Sequence, residues 1–390
     1  MQPATRVPLA VIAGSWARIG TIGFGGPPAH IALFRALCVD RRHWLSAEEF
    51  EDGISATNLL PGPASTQLAI FCAWRVRGVV GGILGGICFI APGLAVILAL
   101  SALFLATHPP IWVLGAAAGA GAAVPAVALQ AALALIPASR RRVGPLRARR
   151  TRWIVYFSVG IAAGALVGAS VVLVLIACGI VEIACLRAWR PPRKVSISIA
   201  VVPILLAVPL TGTFAAIALV AAKVGVLSYG GGFVIIPLMQ HDAVDVYRWM
   251  TGAQFLNAVA LGQITPGPVV HTVAVVGYAA GGIGGGLFAA LVAFVPSFLL
   301  VLGGGRFFDR LRSNRAIQAF LTGAGAAVIG AIAGSAIPLG LALGQFWQLG
   351  ILAVATVWLV LLRRNVVVGL IGSGVIGVAA VLLLGAPIAH

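Results

Sequence analysis

Apolar residues in this chain run together in blocks the length of a membrane span, with short polar and charged breaks between them. Such runs recur near 80–104, 111–137, 152–170, 171–187, 196–229, 283–303, 316–338, 343–361 and 366–386. About 20 consecutive apolar residues suffice to cross a bilayer as a helix. No polar stretch between them is long enough for a soluble domain, so the pattern predicts a bundle of membrane helices. The segment 45–52 differs: it gathers Glu48, Glu49, Glu51 and Asp52 among apolar residues and reads as amphipathic and interfacial.

The runs belong to two copies of one module. Gly23-Phe24-Gly25-Gly26 matches Ser228-Tyr229-Gly230-Gly231 at an offset of 205 (230 − 25 = 205), and Gly20/Gly225, Trp44/Trp249 and Phe50/Phe255 keep that register. Pro61-Gly62-Pro63 returns as Pro266-Gly267-Pro268 at the same offset. After one deletion the offset becomes 204, where Pro92 meets Pro296 and GAGAAV at 119–124 reappears at 323–328. A chain rich in Gly and Ala repeats short words by chance, but Trp, Phe and Pro-Gly-Pro in one register do not arise that way. The expected modules are 1–190 and 196–390. The first 26 residues superficially resemble a signal peptide, yet they carry the repeat and are expected to be retained.

Composition agrees with the membrane reading. Of 390 residues, 61% are hydrophobic and 9% charged; the mean hydropathy is +1.08. The formal charge of +17 sits in short arginine clusters between apolar runs. It makes no basic face interleaved with aromatics, so nucleic acid is not an expected partner. Cys38, Cys72, Cys88, Cys178 and Cys185 form no CxxC pair, and neither disulfide, metal site nor cofactor is expected.

Arginine placement orients the copies. Arg140, Arg141, Arg142, Arg147, Arg149, Arg150 and Arg152 follow the first GAGAAV run, whereas Arg306, Arg310, Arg312 and Arg315 precede the second. Under the positive-inside rule the modules are then inverted. Inverted repeats with broken helices place a transporter's substrate near the midplane. The stretch 196–229 leaves the crossing count open, as one long helix or as a crossing plus a broken helix.

Each module has two helix breaks, one at its Gly-Gly element and one at Pro-Gly-Pro. Proline cannot continue a helix but starts one well, and a helix start offers free amides and a positive dipole end to an anion. Candidate donors are Gly62, Ala64 and Ser65, with Gly267, Val269 and Val270 in the second copy. Gly25-Gly26-Pro27 and Gly230-Gly231-Gly232 can act likewise. The plainer alternative is that these motifs only kink or pack helices. Arg18 and Lys223 also stand 205 apart (223 − 18 = 205), with no acid within a helical turn or two in sequence. An anion brought by substrate is therefore the expected counter-charge, snorkelling to the interface being the alternative. Thr57, Asn58, Gln263 and Thr265 flank the Pro-Gly-Pro motifs as further hydrogen-bonding groups, with His30 and His271 as lesser candidates. Glu182, alone deep in an apolar run, is a candidate proton carrier or the structural partner of nearby Arg187.

At GFGGPPAHI (23–31), Pro61-Gly62-Pro63, YGGGFVIIPL (229–238) and TPGPV (265–269), the sequence resembles the chromate ion transporter family in its two-domain, long-chain form. The resemblance covers nearly the whole chain. It implies export of chromate across the bacterial cytoplasmic membrane and resistance to it, with sulfate transported by some members. The second copy departs from the first in having Gly232-Phe233 near where Pro27-Pro28 would fall and in lacking the acidic cluster. The expectation is an all-α polytopic secondary transporter, not an enzyme, whose partners are chromate or sulfate and the lipid bilayer, with a homodimer admissible. Potential alone can drive a dianion out of an inside-negative cell. The competing readings are transport of another tetrahedral oxyanion, a passive anion channel, and an intramembrane lipid-phosphate phosphatase. The last needs a nucleophile and base in one break, and no such set recurs in both halves.

Overall fold

A computed structural model of the chain describes residues 7–57, 60–166, 171–187, 212–228, 235–304 and 314–387. Within them lie fourteen α-helices. The first module contributes α1 (Leu9–Ile22), α2 (Pro27–Arg35), α3 (Ala47–Thr57), α4 (Ala64–Phe104), α5 (Ile111–Val143), α6 (Arg147–Leu166) and α7 (Val171–Arg187). The second contributes α8 (Thr213–Leu227), α9 (Ile235–Gln240), α10 (Gly252–Ile264), α11 (Thr272–Gly304), α12 (Arg315–Leu341), α13 (Phe346–Thr356) and α14 (Val366–Leu384). Among the described residues there is no strand. Gly230, Gly231, Gly232, Asn58 and all of 188–211 lie outside the described residues.

The breaks are chain reversals rather than kinks. Trp16 of α1 lies 5.6 Å from Phe34 of α2, ring to ring, so the two helices fold back on each other about Gly23–Gly26. Both tip glycines Gly25 and Gly26 adopt positive φ, 97° and 72°. In the same way Gly53 of α3 packs on Phe71 and Glu49 pairs with Arg75, making a second hairpin with Pro61-Gly62-Pro63 at its tip. At the base of this hairpin the Ser46 amide and then Arg75 hold the Glu49 carboxyl below its usual range. An arm of 14 residues is about 21 Å long, shorter than the ~30 Å hydrocarbon core. Such hairpins are re-entrant.

A third reversal is hidden inside α4, which runs on without a sequence break. Arg77 and Gly78 leave helical geometry, Gly78 at φ 70° and ψ −162°, and Gly82 and Gly86 then pack back on Ile70. The counterpart Gly281 and Gly282 do the same in α11, Gly282 at φ 62° and ψ −155°. The membrane-length pieces are therefore 79–104 and 283–304. Both copies also contain a six-residue π-helical turn, at Ala36–Arg41 and His241–Val246. Each is closed by a residue of positive φ, His43 and Arg248, so the repeat extends to irregular backbone.

The modules interleave. α6 and α7 of the first copy pack on α12 of the second, while α13 and α14 of the second pack on α5 of the first. Glycines let the backbones touch: Gly160 and Gly164 face the carbonyls of Ala327 and Ala331, and Gly330 and Gly334 those of Phe157 and Ile161. Gly119 and its counterpart Gly323 meet the carbonyls of Ser373 and Cys178 respectively. Close approach through small residues is how membrane helices gain packing without a hydrophobic drive. α5 and α12, the GAGAAV helices, lie side by side in opposite directions: Ala132 packs by Ile332, whereas Arg142 shares a cavity wall with Arg315. Large apolar residues such as Ile83, Ile87, Ile283, Leu287, Leu291, Ile371 and Val375 remain exposed on the outside, as a lipid-facing surface requires.

A Cβ at Gly330 would overlap the Phe157 carbonyl oxygen, whereas one at Gly350 meets open space. Gly330→Ala is expected to destabilise the detergent-solubilised protein by about 1–3 kcal/mol and Gly350→Ala to leave it unchanged or slightly firmer. Thermal melts of the two variants check this.

Candidate functional site

The four hairpin tips converge, and they are tied crosswise. The Gly62 amide donates to the Ser228 carbonyl at 3.0 Å, and the Gly267 amide donates to the Gly23 carbonyl at 2.9 Å. Both bonds join a Pro-Gly-Pro tip of one copy to a Gly-Gly tip of the other. Gly62 and Gly267 adopt φ of 121° and 91° to make the turn, a region that other residues enter only with strain. The sequence reading offered these two amides to an anion; the structure corrects it, because both are already satisfied by carbonyls. What remains open is the start of α4, where Pro63 precedes Ala64 and Ser65 with no side-chain cap, and the start of the 3-10 turn at Val269–His271, likewise uncapped.

Unpartnered polar groups gather at this junction. His30 Nδ1, Thr66 Oγ1, Gln67 Oε1, Ser228 Oγ, Gln263 Nε2 and Ser297 Oγ are buried without a hydrogen-bond partner among the described residues. His271 joins them, its ring lying by the carbonyls of Ile90 and Pro266 without a well-formed hydrogen bond. Buried polar groups are nearly always paired, so such a cluster marks a place for water or a polar ligand. Gln67 Nε2 is held by the Pro61 carbonyl at 2.7 Å, and His30 Nε2 lies 2.9 Å from the Gly23 carbonyl. Thr57 and Thr265 turn their hydroxyls onto their own helices, to Gly53 and Leu261. Ser228, Ser297, Thr66 and Gln67 were not singled out from sequence. Ser297 follows Pro296 of the repeat, the one signal that points to it.

The two paired cations do not share a fate. Arg18 is exposed. Lys223 is buried, and its Nζ donates to both carboxylate oxygens of Asp242 at 3.0 and 3.2 Å. The expectation that Lys223 has no protein counter-charge is overturned: Asp242 stands across the hairpin, 19 residues away in sequence. The position equivalent to Asp242 in the first copy is Leu37 (242 − 205 = 37), so only the second hairpin carries the pair. Glu182 is likewise tied, accepting from Arg152 at 2.7 and 2.9 Å and from the Tyr156 hydroxyl at 3.1 Å; the Arg187 side chain lies outside the described residues.

Two neighbouring cavities lie on the side of the first Pro-Gly-Pro tip. The inner one, about 190 Å³, is lined by Thr57, Gly62 and Ala64 on the hairpin side and by Ser139, Arg142 and Thr322 opposite. The outer one, about 430 Å³, shares Arg142 and Thr322 and adds Arg149, Arg315 and Glu182. Among the described residues Glu182 is the only carboxylate on either lining, and it is spent on Arg152. Arg142, Arg149 and Arg315 therefore give the mouth a net positive field, which low-dielectric walls focus. The clusters used from sequence only for orientation thus reach the site: the end of α5 and the start of α12 meet there because those helices run in opposite directions.

The chromate transporter family matches residues 10–183 and 215–378. A chromate transport protein of Cupriavidus metallidurans is 31% identical over 379 residues, 94% of this chain and 92% of that protein. The chromate transport protein of Pseudomonas aeruginosa is 31% identical over 83% of this chain and 79% of its own length. An uncharacterized transporter of Methanocaldococcus jannaschii is 28% identical over 77% and 76%. No solved structure matches the chain.

Removing one partner of a buried ion pair strands the other, at about 3–5 kcal/mol. Lys223→Met and Asp242→Asn are each expected to lower folded yield sharply, and the double variant to recover most of it. Size-exclusion profiles and melting curves of the three variants check the coupling.

Proposed function

Because this chain belongs to the chromate transporter family, we propose that it exports chromate from the bacterial cytoplasm, driven by the membrane potential, and so confers resistance. The observation that carries this reading is the arginine-lined vestibule opening onto the uncapped start of α4. Arg142, Arg149 and Arg315 gather a dianion. The amides of Ala64 and Ser65, at the positive end of a helix dipole, receive it beside the tip of Gly62. Behind the tip, the orphaned groups of Thr66, Gln67, Ser228 and Ser297 complete its hydrogen bonding.

The remaining nominated residues act as scaffold in this proposal. Pro61, Pro63, Pro266 and Pro268 set the turns; Gly25, Gly26 and Gly267 let the tips meet. Lys223 contributes little net attraction while Asp242 neutralises it. The opposed directions of α5 and α12, with arginines at one shared end, support an inverted repeat whose basic face is cytoplasmic. Carboxylates are scarce in the bundle, and the two deepest, Asp242 and Glu182, are held in ion pairs. That favours a mechanism without a dedicated coupling ion. One charge crossing 100 mV is worth about 2.3 kcal/mol, so a dianion leaving an inside-negative cell gains roughly 4.6. Among the described residues no nucleophile and base face each other on either cavity wall, which supports transport over phosphoester chemistry. Sulfate shares the shape and charge of chromate, and competition ranks the two.

In inside-out vesicles, chromate uptake is expected to saturate, to rise with an imposed interior-positive potential, and to fall with sulfate in proportion to its affinity. Flux indifferent to potential overturns the charge-driven mechanism. Arg142→Gln is expected to raise KM about tenfold, the equivalent of ~1.4 kcal/mol, with little change in maximal rate; an unchanged KM removes Arg142 from the path.

A further inference from the structure

The open cavity has a closed twin. Its lining residues Thr322, Gly325 and Ala138 map, through the repeat offset, onto Ala118, Gly121 and Ala342 (322 − 204 = 118; 325 − 204 = 121; 138 + 204 = 342). Those three residues line a second space of only about 10 Å³, shut by Ala253, Leu256 and Asn257 of α10 and by Gln348 of α13. On the open side α3 stands clear of α12, whereas on the closed side its counterpart α10 packs along α5.

One pair of glycines records the difference atom by atom. Gly121 has the Asn257 side-chain oxygen pressed against the position a Cβ would occupy, while its counterpart Gly325 faces nothing within 4 Å among the described residues. Across the closed seam, Gln348 Nε2 donates to the Ala118 carbonyl at 3.3 Å. Gly121 and Gly325, and Ala342 and Ala138, are thus the same residue types in the same register, closed in one copy and open in the other.

We infer that the collapsed space at Asn257 and Gln348 is a second access site for the oxyanion, the counterpart of the arginine-lined cavity on the opposite face. The two amide side chains provide neutral donors there, where the first mouth has arginines. A site of neutral donors holds an anion less firmly than a cationic one, which suits release. Gly121 and Gly325 are the surfaces on which the hairpin arms α10 and α3 close in turn. A methyl group at Gly121 opposes closure of the second site, and one at Gly325 opposes closure of the first. The inference rests on the transport reading for the identity of the anion, but the opening itself is measurable without it.

The test uses the full chain in oriented vesicles, with its five cysteines replaced and a single probe at Ala138→Cys or Ala342→Cys, treated with a membrane-impermeant maleimide from each face. Without further change, Ala138→Cys is expected to label and Ala342→Cys to label poorly. Adding Gly121→Ala should raise Ala342→Cys labelling several-fold, from the face opposite to the one that reaches Ala138→Cys, and protect Ala138→Cys. Gln348→Ala, which removes the seam bond to Ala118 and the bond accepted from the Gln345 amide and adds no bulk, should shift labelling in the same direction if Gly121→Ala fails to fold. Gly325→Ala should keep Ala138→Cys reactive and stop chromate flux. Ala342→Cys that stays unreactive in a folded Gly121→Ala or Gln348→Ala protein, or that labels from the same face as Ala138→Cys, overturns the second site. Labelling that shifts without flux of any oxyanion overturns the transport reading and leaves the second opening standing.

Discussion

A backbone amide buried in a membrane must find an acceptor, because no water is there to supply one. At each Pro-Gly-Pro tip the helix has ended, proline contributes no amide, and the central glycine is left with an N–H and no carbonyl of its own helix to receive it. Gly62 and Gly267 solve this by donating to Ser228 and Gly23, each in the other copy. Neither tip is satisfied alone. The two modules are therefore obliged to meet tip to tip, and the glycines at 62 and 267 are fixed by their backbone angles as well as by the space. The outer layer repeats the logic on a larger scale, with α12 clasped by helices of the first copy and α5 by helices of the second. What reads as two modules in sequence is one body in space.

The repeat was legible because it is written in residues with backbone consequences. Gly25, Gly26, Pro61, Pro63 and their counterparts announce helix breaks, and Trp and Phe in register exclude coincidence. The direction the chain takes after a break was less legible. Apolar residues suit a kink and a hairpin equally, and the reversal at Arg77–Gly78 lies inside a run with no interruption of hydropathy. The Lys223–Asp242 pair escaped for a related reason: proximity along one helix is visible as spacing of three or four residues, whereas proximity across a hairpin depends on where the turn falls. Once α8 and α9 are known to fold against each other, residues 223 and 242 become natural neighbours. The arginine clusters were read for their sign, and only the opposed packing of α5 and α12 joins them to one cavity.

Charge is scarce in this chain, and its placement separates structure from recognition. Lys223 and Asp242 cancel inside a hairpin, in the one copy that carries both. Arg152 and Glu182 cancel between α6 and α7, with Tyr156 satisfying a remaining lone pair. Each pair leaves little net field and, once buried, is held by the penalty of separating it. Arg142, Arg149 and Arg315 have no such partner among the described residues of the cavity wall and sit where solvent still reaches. In the proposed function, attraction for an anion comes from the mouth, while the interior offers amides and hydroxyls. Such an arrangement does not trap a dianion: neutral donors can replace part of its hydration without the deep well that a buried unpaired cation would create.

Duplication also bears on how such a site can change sides. If both copies supply the same contacts, the state with α10 on α5 and α3 free differs from its mirror only through residues that break the repeat. Three such departures lie at the seam and the mouth: Asn257 where the first copy has Asp52, Gln348 where it has Gly144, and the arginines at the mouth where α12 ends without them. Asp52 facing an apolar helix would carry a desolvation cost that Asn257 does not, which favours closure on the side observed. A bias built from one carboxylate and one hydrogen bond amounts to a few kcal/mol, the range in which a minor conformation stays populated and a ligand can shift the balance. The departures from exact repetition are therefore where the resting orientation of the protein is set, and the repeat itself is what keeps the other orientation within reach.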